Sequence, residues 1–227
     1  IERVYAEAKA ALNINDYRTA IEYYEQLEAR FPFGEYAQQA LLDSAYAYYK
    51  TDEPETAIAT LDRFMRVYPL NENIDYAMYL RGLINFNRDM GILEKYIPRD
   101  ETQRDPGSAL QALRDFTTLV NRFPTSRYSD DAAQRVVYLR NRLAQHELHV
   151  ASYYMRRASY LAAANRAKYV IENYPRTPAM PDALVVMAKA YKILELNDLS
   201  EDALRVLEAN YPGHPGVAEV RKTTLVE

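Results

Sequence analysis

The chain has 227 residues with no Cys and no Trp, and its 28 basic and 32 acidic side chains give a net charge of −4. Disulfides, thiolate nucleophiles and Cys-based metal sites are thereby excluded, and the near-balance of charge gives no reason to expect nucleic acid. Hydrophobic residues at 48% support a buried core, while only 6 Gly and no sustained apolar run argue against a turn-rich β fold and a membrane span. Tyrosine is over-used, 21 against 6 Phe, and its large ring with a polar tip suits repeat cores and half-exposed binding surfaces alike. The chain opens on Ile1 at the edge of a helical pattern. A start without Met suggests that targeting residues lie upstream.

An aromatic–proline pair recurs at Phe31-Pro32, Tyr68-Pro69, Phe123-Pro124, Tyr174-Pro175 and Tyr211-Pro212, at spacings of 37, 55, 51 and 37 residues. Proline cannot continue a helix and disfavours the helical conformation in its predecessor, so each pair marks a helix end. Twelve residues before each Pro stands a small residue: Ala20, Ala57, Ala112, Ala163 and Ser200. Twenty-four before it, in four of the five units, stands another: Ala8, Ala45, Ala151 and Ala188. Paired helices approach closely only where small side chains face each other. Small, small, proline at this spacing resembles the tetratricopeptide (TPR) pattern, whose period is about 34 residues. The expected fold is therefore all-α: a TPR-like superhelical solenoid of about five helix-turn-helix repeats.

In chain order, the first unit places Tyr5, Lys9 and Leu12 on the groove side of its first helix. The second places Leu42, Tyr46 and Tyr49 there, and the third Tyr79, Leu83 and Phe86, with Tyr76 one turn earlier. Such a stripe offers stacking area and hydroxyls to an extended peptide; the alternative is that the rings only pack between units. In the third unit Gly82 takes the first small-residue position, but Ala112 follows 30 residues later. The surplus holds Gly91, Pro98, Pro106 and Gly107, which predicts an irregular segment within 92–106. The fourth unit has no Gly or Pro from Ser129 to Tyr154, and its 14 extra residues lengthen one helix by roughly four turns, or ~21 Å. That helix ends in Tyr153-Tyr154-Met155-Arg156-Arg157, and Asn165-Arg166 follow on the next. Tyr and Arg are the residue types that dominate interface hot spots. Read bare, the cluster is a solvated helix end.

Catalysis finds no support. His146 and His149 share a helical face but lack further metal ligands, and His214 sits in a turn. Phosphate-binding Gly loops and nucleophile elbows are absent. No catalytic residue, metal or cofactor is expected.

The chain resembles the BamD family, outer-membrane lipoproteins of the β-barrel assembly machinery in Gram-negative bacteria. The resemblance rests on Arg30-Phe31-Pro32-Phe33-Gly34, Tyr46-Ala47-Tyr48-Tyr49-Lys50, Asp62-Arg63-Phe64 and Asn73-Ile74-Asp75-Tyr76. Tyr79-Leu80-Arg81-Gly82-Leu83, Arg104-Asp105-Pro106, Asn173-Tyr174-Pro175 and Asp182-Ala183-Leu184 extend it along nearly the whole chain. It implies a non-enzymatic scaffold at the periplasmic face of the outer membrane, held by a lipidated N-terminal Cys absent from this chain. It further implies that the C-terminal repeats (123–227) bind a POTRA domain of BamA through Tyr153, Tyr154, Arg157 and Arg166. The N-terminal repeats (1–122) would meet a BamC-type lipoprotein and unfolded outer-membrane protein precursors. On that reading Tyr5, Tyr46, Tyr49, Tyr76, Tyr79 and Phe86 line the precursor groove, and Arg63 and Arg81 pair with a terminal carboxylate. From the residues alone the rival is a soluble TPR adaptor that binds extended peptides and has no part in barrel assembly.

Overall fold

The computed structural model describes residues 1–90 and 106–223. Among these residues there are eleven helices: α1 Glu2–Asn13, α2 Tyr17–Arg30, α3 Glu35–Lys50, α4 Pro54–Val67, α5 Ile74–Met90, α6 Gly107–Arg122, α7 Ser129–Arg156, α8 Tyr160–Asn173, α9 Met180–Ile193, α10 Asn197–Asn210 and α11 Gly216–Lys222. The helix α7 has 28 residues, about eight turns or ~42 Å, as the missing punctuation between Ser129 and Tyr154 predicts. The irregular segment expected within 92–106 lies outside the described residues, apart from Pro106 just before α6.

Two compact units divide the described residues: 1–90 with 107–136, and Pro106 with 137–223. In the first, α1 to α6 pack each against the next, and the alternate helices α1, α3 and α5 also touch. In the second, α9 packs between α8 and α10, and the short α11 closes on α9 and α10. These are the stacked helix hairpins of the TPR-like class.

Punctuation in the sequence explains the hairpins. Helices α2, α4, α8 and α10 end on Phe31, Tyr68, Tyr174 and Tyr211, whose φ angles of −140°, −124°, −124° and −137° lie outside the helical region that a following Pro disfavours. Within four hairpins the turn is the same: Asn15, Asp52, Ala158 and Glu195 each take a φ between 56° and 64°. The next helix begins two residues later in each case. Asp16 caps α2 by accepting from the Thr19 backbone N–H at 3.3 Å, and Pro54 opens α4 where its missing N–H costs nothing.

The small residues sit where the spacing puts them. Ala8, Ala20, Ala45, Ala57, Ala112, Ala151, Ala163 and Ala188 are all wholly buried. Ser200 is buried too, and its hydroxyl donates to the Ala188 carbonyl at 2.9 Å, joining α10 to α9. Gly82 faces the ring of Phe116, so α5 contributes no side chain where that ring of α6 packs against it.

Candidate functional site

The first unit carries the predicted tyrosine stripe, and the structure resolves it into three clusters. Tyr5 belongs to the first. Its ring centroid lies 5.2 Å from Tyr36 and 6.3 Å from Tyr24. The hydroxyls of Tyr5 and Tyr24, the ammonium of Lys9 and the amide of Gln39 all donate to Asp43, at 3.3, 3.1, 2.9 and 3.0 Å. Asp43 is buried on α3, and four donors with one full positive charge are what a buried carboxylate requires. Burial first, then the Asp43 charge and hydrogen bond, pushes the Tyr5 and Tyr24 hydroxyls above the ordinary tyrosine range.

Tyr46 and Tyr49 form the second cluster, both half-buried on α3. Tyr46 meets Tyr17 edge-on at 6.2 Å, with the Lys50 ammonium 5.9 Å from each ring. The Tyr49 hydroxyl accepts from the Asn87 amide.

In the third cluster Tyr76 and Tyr79 on α5 gather around Tyr128, at 5.6 and 4.7 Å, the latter pair stacked. Phe86 is buried rather than groove-lining: it packs 6.5 Å from Phe116, beneath the Arg135 guanidinium at 4.8 Å. Tyr79 donates to Asp131 at 2.8 Å, and Arg135 donates to the same carboxylate at 2.6 Å. Although partial burial works the other way, these donors hold Asp131 below the usual carboxylate range.

The two arginines assigned to a terminal carboxylate are engaged internally. Arg81 on α5 bridges Asp62 on α4 and Asp115 on α6, and Asp115 is almost wholly buried. Arg63 on α4 pairs with Glu28 on α2. It lines a cleft of about 380 Å³ with Glu25, Tyr48 and Thr60, none of them a residue of the predicted stripe.

In the second unit, Tyr153 and Tyr154 end α7 with ring centroids 5.8 Å apart, Tyr153 exposed and Tyr154 half-buried. Arg157 follows in the turn, its backbone N–H on the Tyr153 and Tyr154 carbonyls. The exposed Arg166 reaches from α8 to Glu147 at 2.9 Å. Glu147 lies seven residues before Tyr154 on one helical face, so Arg166 and Tyr154 border one surface strip about 10 Å long.

Sequence reasoning missed Asp43, Tyr128 and Arg135. Asp43 was findable: it stands two residues before the small Ala45 in a helix that must be buried, where a carboxylate needs partners, and its donors Lys9, Tyr5 and Tyr24 are within about a turn of the small residues Ala8 and Ala20. Nothing local marks Tyr128, because its role depends on the α6–α7 turn meeting α5.

No cluster of three or more His, Cys, Asp or Glu among the described residues could hold a metal, and no helix among them is long and apolar enough to cross a membrane. Repeated helix hairpins with side-chain surfaces on successive helices define a helical-repeat scaffold. A family model described as YfiO, outer membrane lipoprotein, matches residues 1–207. The outer membrane protein assembly factor BamD of Neisseria meningitidis serogroup B is 46% identical over 215 residues, covering 95% of this chain and 80% of that protein. The protein of the same name from Vibrio cholerae is 38% identical over 208 residues, covering 92% and 86%. Among solved structures, the TPR domain of P58(IPK) superposes with a TM-score of 0.47 at 13% identity, over 98% of this chain and 65% of that one. The chain belongs to the BamD family of outer membrane assembly factors, which are scaffolds and not enzymes.

Proposed function

We propose that the chain is a scaffold of the outer-membrane β-barrel assembly machinery, held at the periplasmic face of the outer membrane by an N-terminal lipid. Its repeats 4–5, residues 123–227, bind a POTRA domain of BamA through Tyr153, Tyr154, Arg157 and Arg166. Repeats 1–3, residues 1–122, receive a BamC-type lipoprotein and segments of unfolded outer-membrane protein precursors. The observation that carries the first assignment is the α7–α8 junction. An exposed Tyr, two exposed Arg and a half-buried Tyr stand close together in the chain at this junction, Arg166 and Tyr154 bordering one strip, and these are the residue types that anchor protein interfaces. For the precursor groove the support lies in Tyr46, Tyr49, Tyr76 and Tyr79, half-exposed rings along α3 and α5. Tyr5 contributes its ring edge while its hydroxyl stays on Asp43, and Phe86 supports the others from beneath. Arg63 and Arg81 could take a peptide carboxylate only by leaving Glu28, Asp62 and Asp115.

Arg157→Ala and Arg166→Leu should each weaken calorimetric binding to a BamA-type POTRA domain by roughly 1–4 kcal/mol. Pairing Arg166→Leu with Glu147→Gln removes the carboxylate that the first change would strand. Unchanged affinity in all these variants moves the interface elsewhere. For the groove, photoreactive residues at 46, 49 or 79 should crosslink to a peptide copying the last strand of a barrel protein. Replacing that peptide's terminal aromatic by Ala should reduce the yield. Crosslinks indifferent to the aromatic would refute the groove reading.

A further inference from the structure

A second surface of the C-terminal unit has the form of a receptor. Halfway along α7 and against the α8–α9 turn lies an open cleft of about 530 Å³, lined by Val137, Arg140, Asn141, Pro175, Arg176 and Thr177. Thirteen residues of helix, about 20 Å, separate Arg140 from Tyr153, so the cleft is distinct from the strip at the α7–α8 junction.

Two arginines face it in different states. Arg140 donates to the Pro175 carbonyl at 3.1 Å, which fixes its guanidinium on the cleft wall. No carboxylate pairs with it among the described residues, although a guanidinium carries five N–H donors. Arg176 is exposed and makes no hydrogen bond or ion pair with any described residue. It also holds a φ of 65°, in the left-handed region that disfavours any residue with a Cβ. The matching residues after the other prolines, Phe33, Leu70 and Thr125, do not enter that region. Gly would satisfy the backbone at 176 without strain, so what an Arg adds there is the guanidinium. Thr177 is buried and donates to the Tyr174 carbonyl at 2.8 Å, which fixes the turn that carries Arg176.

Beside the two cations the cleft has an apolar floor, the Pro175 ring and Val137, which is 59% exposed. A free anion would leave that floor wet. A peptide with an acidic residue next to an aliphatic one would use both, placing its carboxylate in the charge-assisted geometry that guanidinium groups favour. We propose that this cleft is a docking site for an extended segment of a partner protein carrying a carboxylate beside an aliphatic side chain.

The test is methyl-detected NMR of the full chain labelled at Val and Thr, titrated with N-acetyl-Leu-Asp-Val-amide, its Asn counterpart, or inorganic phosphate. The Asp peptide should move the Val137 and Thr177 methyls saturably. The Asn peptide should bind at least about tenfold more weakly, as the loss of a charge-assisted contact implies. Arg176→Gly should abolish the saturable shift while melting no lower than the parent, because Gly relieves the left-handed backbone; Arg140→Gln should also abolish it. Equal binding of the Asn peptide, an equal response to phosphate, no response to any probe, or full binding by Arg176→Gly would each overturn the proposal.

Discussion

Gly82→Ala sets two effects of known sign against each other. A Cβ at this position would lie 2.7 Å from Cε1 of Phe116 and 3.0 Å from Cδ1 and Cζ. Carbon atoms rest at about 3.5–4.0 Å, so the ring must retreat by roughly 1 Å. It has little room to do so. Phe116 is wholly buried, with Tyr79 at 6.0 Å, Phe86 at 6.5 Å and the Arg135 guanidinium 5.9 Å from its centroid. Overpacking of this kind costs about 1–3 kcal/mol, while replacing a mid-helix Gly by Ala returns about 1 kcal/mol. The net expectation is a loss of about 1 kcal/mol, read from urea unfolding followed by circular dichroism. Phe116→Leu should cost less in the Gly82→Ala background than in the parent, since the smaller side chain relieves the clash, and the coupling should exceed about 0.5 kcal/mol. If Gly82→Ala instead stabilises the chain by the full helix-propensity gain, or if the two changes add without coupling, the close approach of α5 and α6 is not what Gly82 provides.

Two further outcomes follow from the buried charges and hydroxyls. Arg81→Met should destabilise the first unit by about 3 kcal/mol, because it strands Asp115, and Arg81→Met with Asp115→Leu should recover most of that loss in the same urea assay; no loss from the single change would mean that the pair is solvated. In ultraviolet titration of the native chain, Tyr5, Tyr24, Tyr48, Tyr76, Tyr79 and Tyr174 should stay protonated past the ordinary tyrosine value of about 10, burial being the leading cause in each. Their folded-state values lie above the unfolded one, so the stability they lend is complete below about pH 10 and is lost as pH rises beyond it. The missing absorbance should therefore appear together with alkaline unfolding, and ionisation of all 21 tyrosines in one step while the helices persist would refute this.

The repeat architecture was legible because it depends on short-range signals repeated five times. Each Pro turns its predecessor out of the helical conformation, and each small residue marks a close helix crossing. Both can be read without knowing which helix meets which. The length of α7 was legible for the same reason, since only the absence of Gly and Pro had to be noticed. Side-chain destinations were less accessible. Arg63 and Arg81 stand near the stripe in sequence, but a long side chain chooses among partners on three helices, and buried or half-buried carboxylates on α2, α4 and α6 claim both. Phe86 keeps the groove register, yet Phe116 and Arg135 draw it into the core.

The five aromatic–proline turns show where such reading ends. They share one backbone signal, and the described ends of α2, α4, α8 and α10 follow it with closely similar φ angles. The residue after each Pro is free of that constraint and differs from turn to turn: Phe33 and Leu70 are 81% and 97% exposed, Thr125 is polar, and Arg176 alone takes the left-handed conformation. A position that the fold does not need, in a turn that the fold holds still, is where a repeat protein can change what it binds without changing how it stacks. Arg176 meets that description and also faces a cleft with a second, anchored arginine, whereas Phe33 and Leu70 face solvent with no such counterpart. These turns thus share the backbone signal before each Pro and differ after it, at Arg176 in conformation as well as in surface chemistry, and that difference puts the proposed docking position in the C-terminal unit.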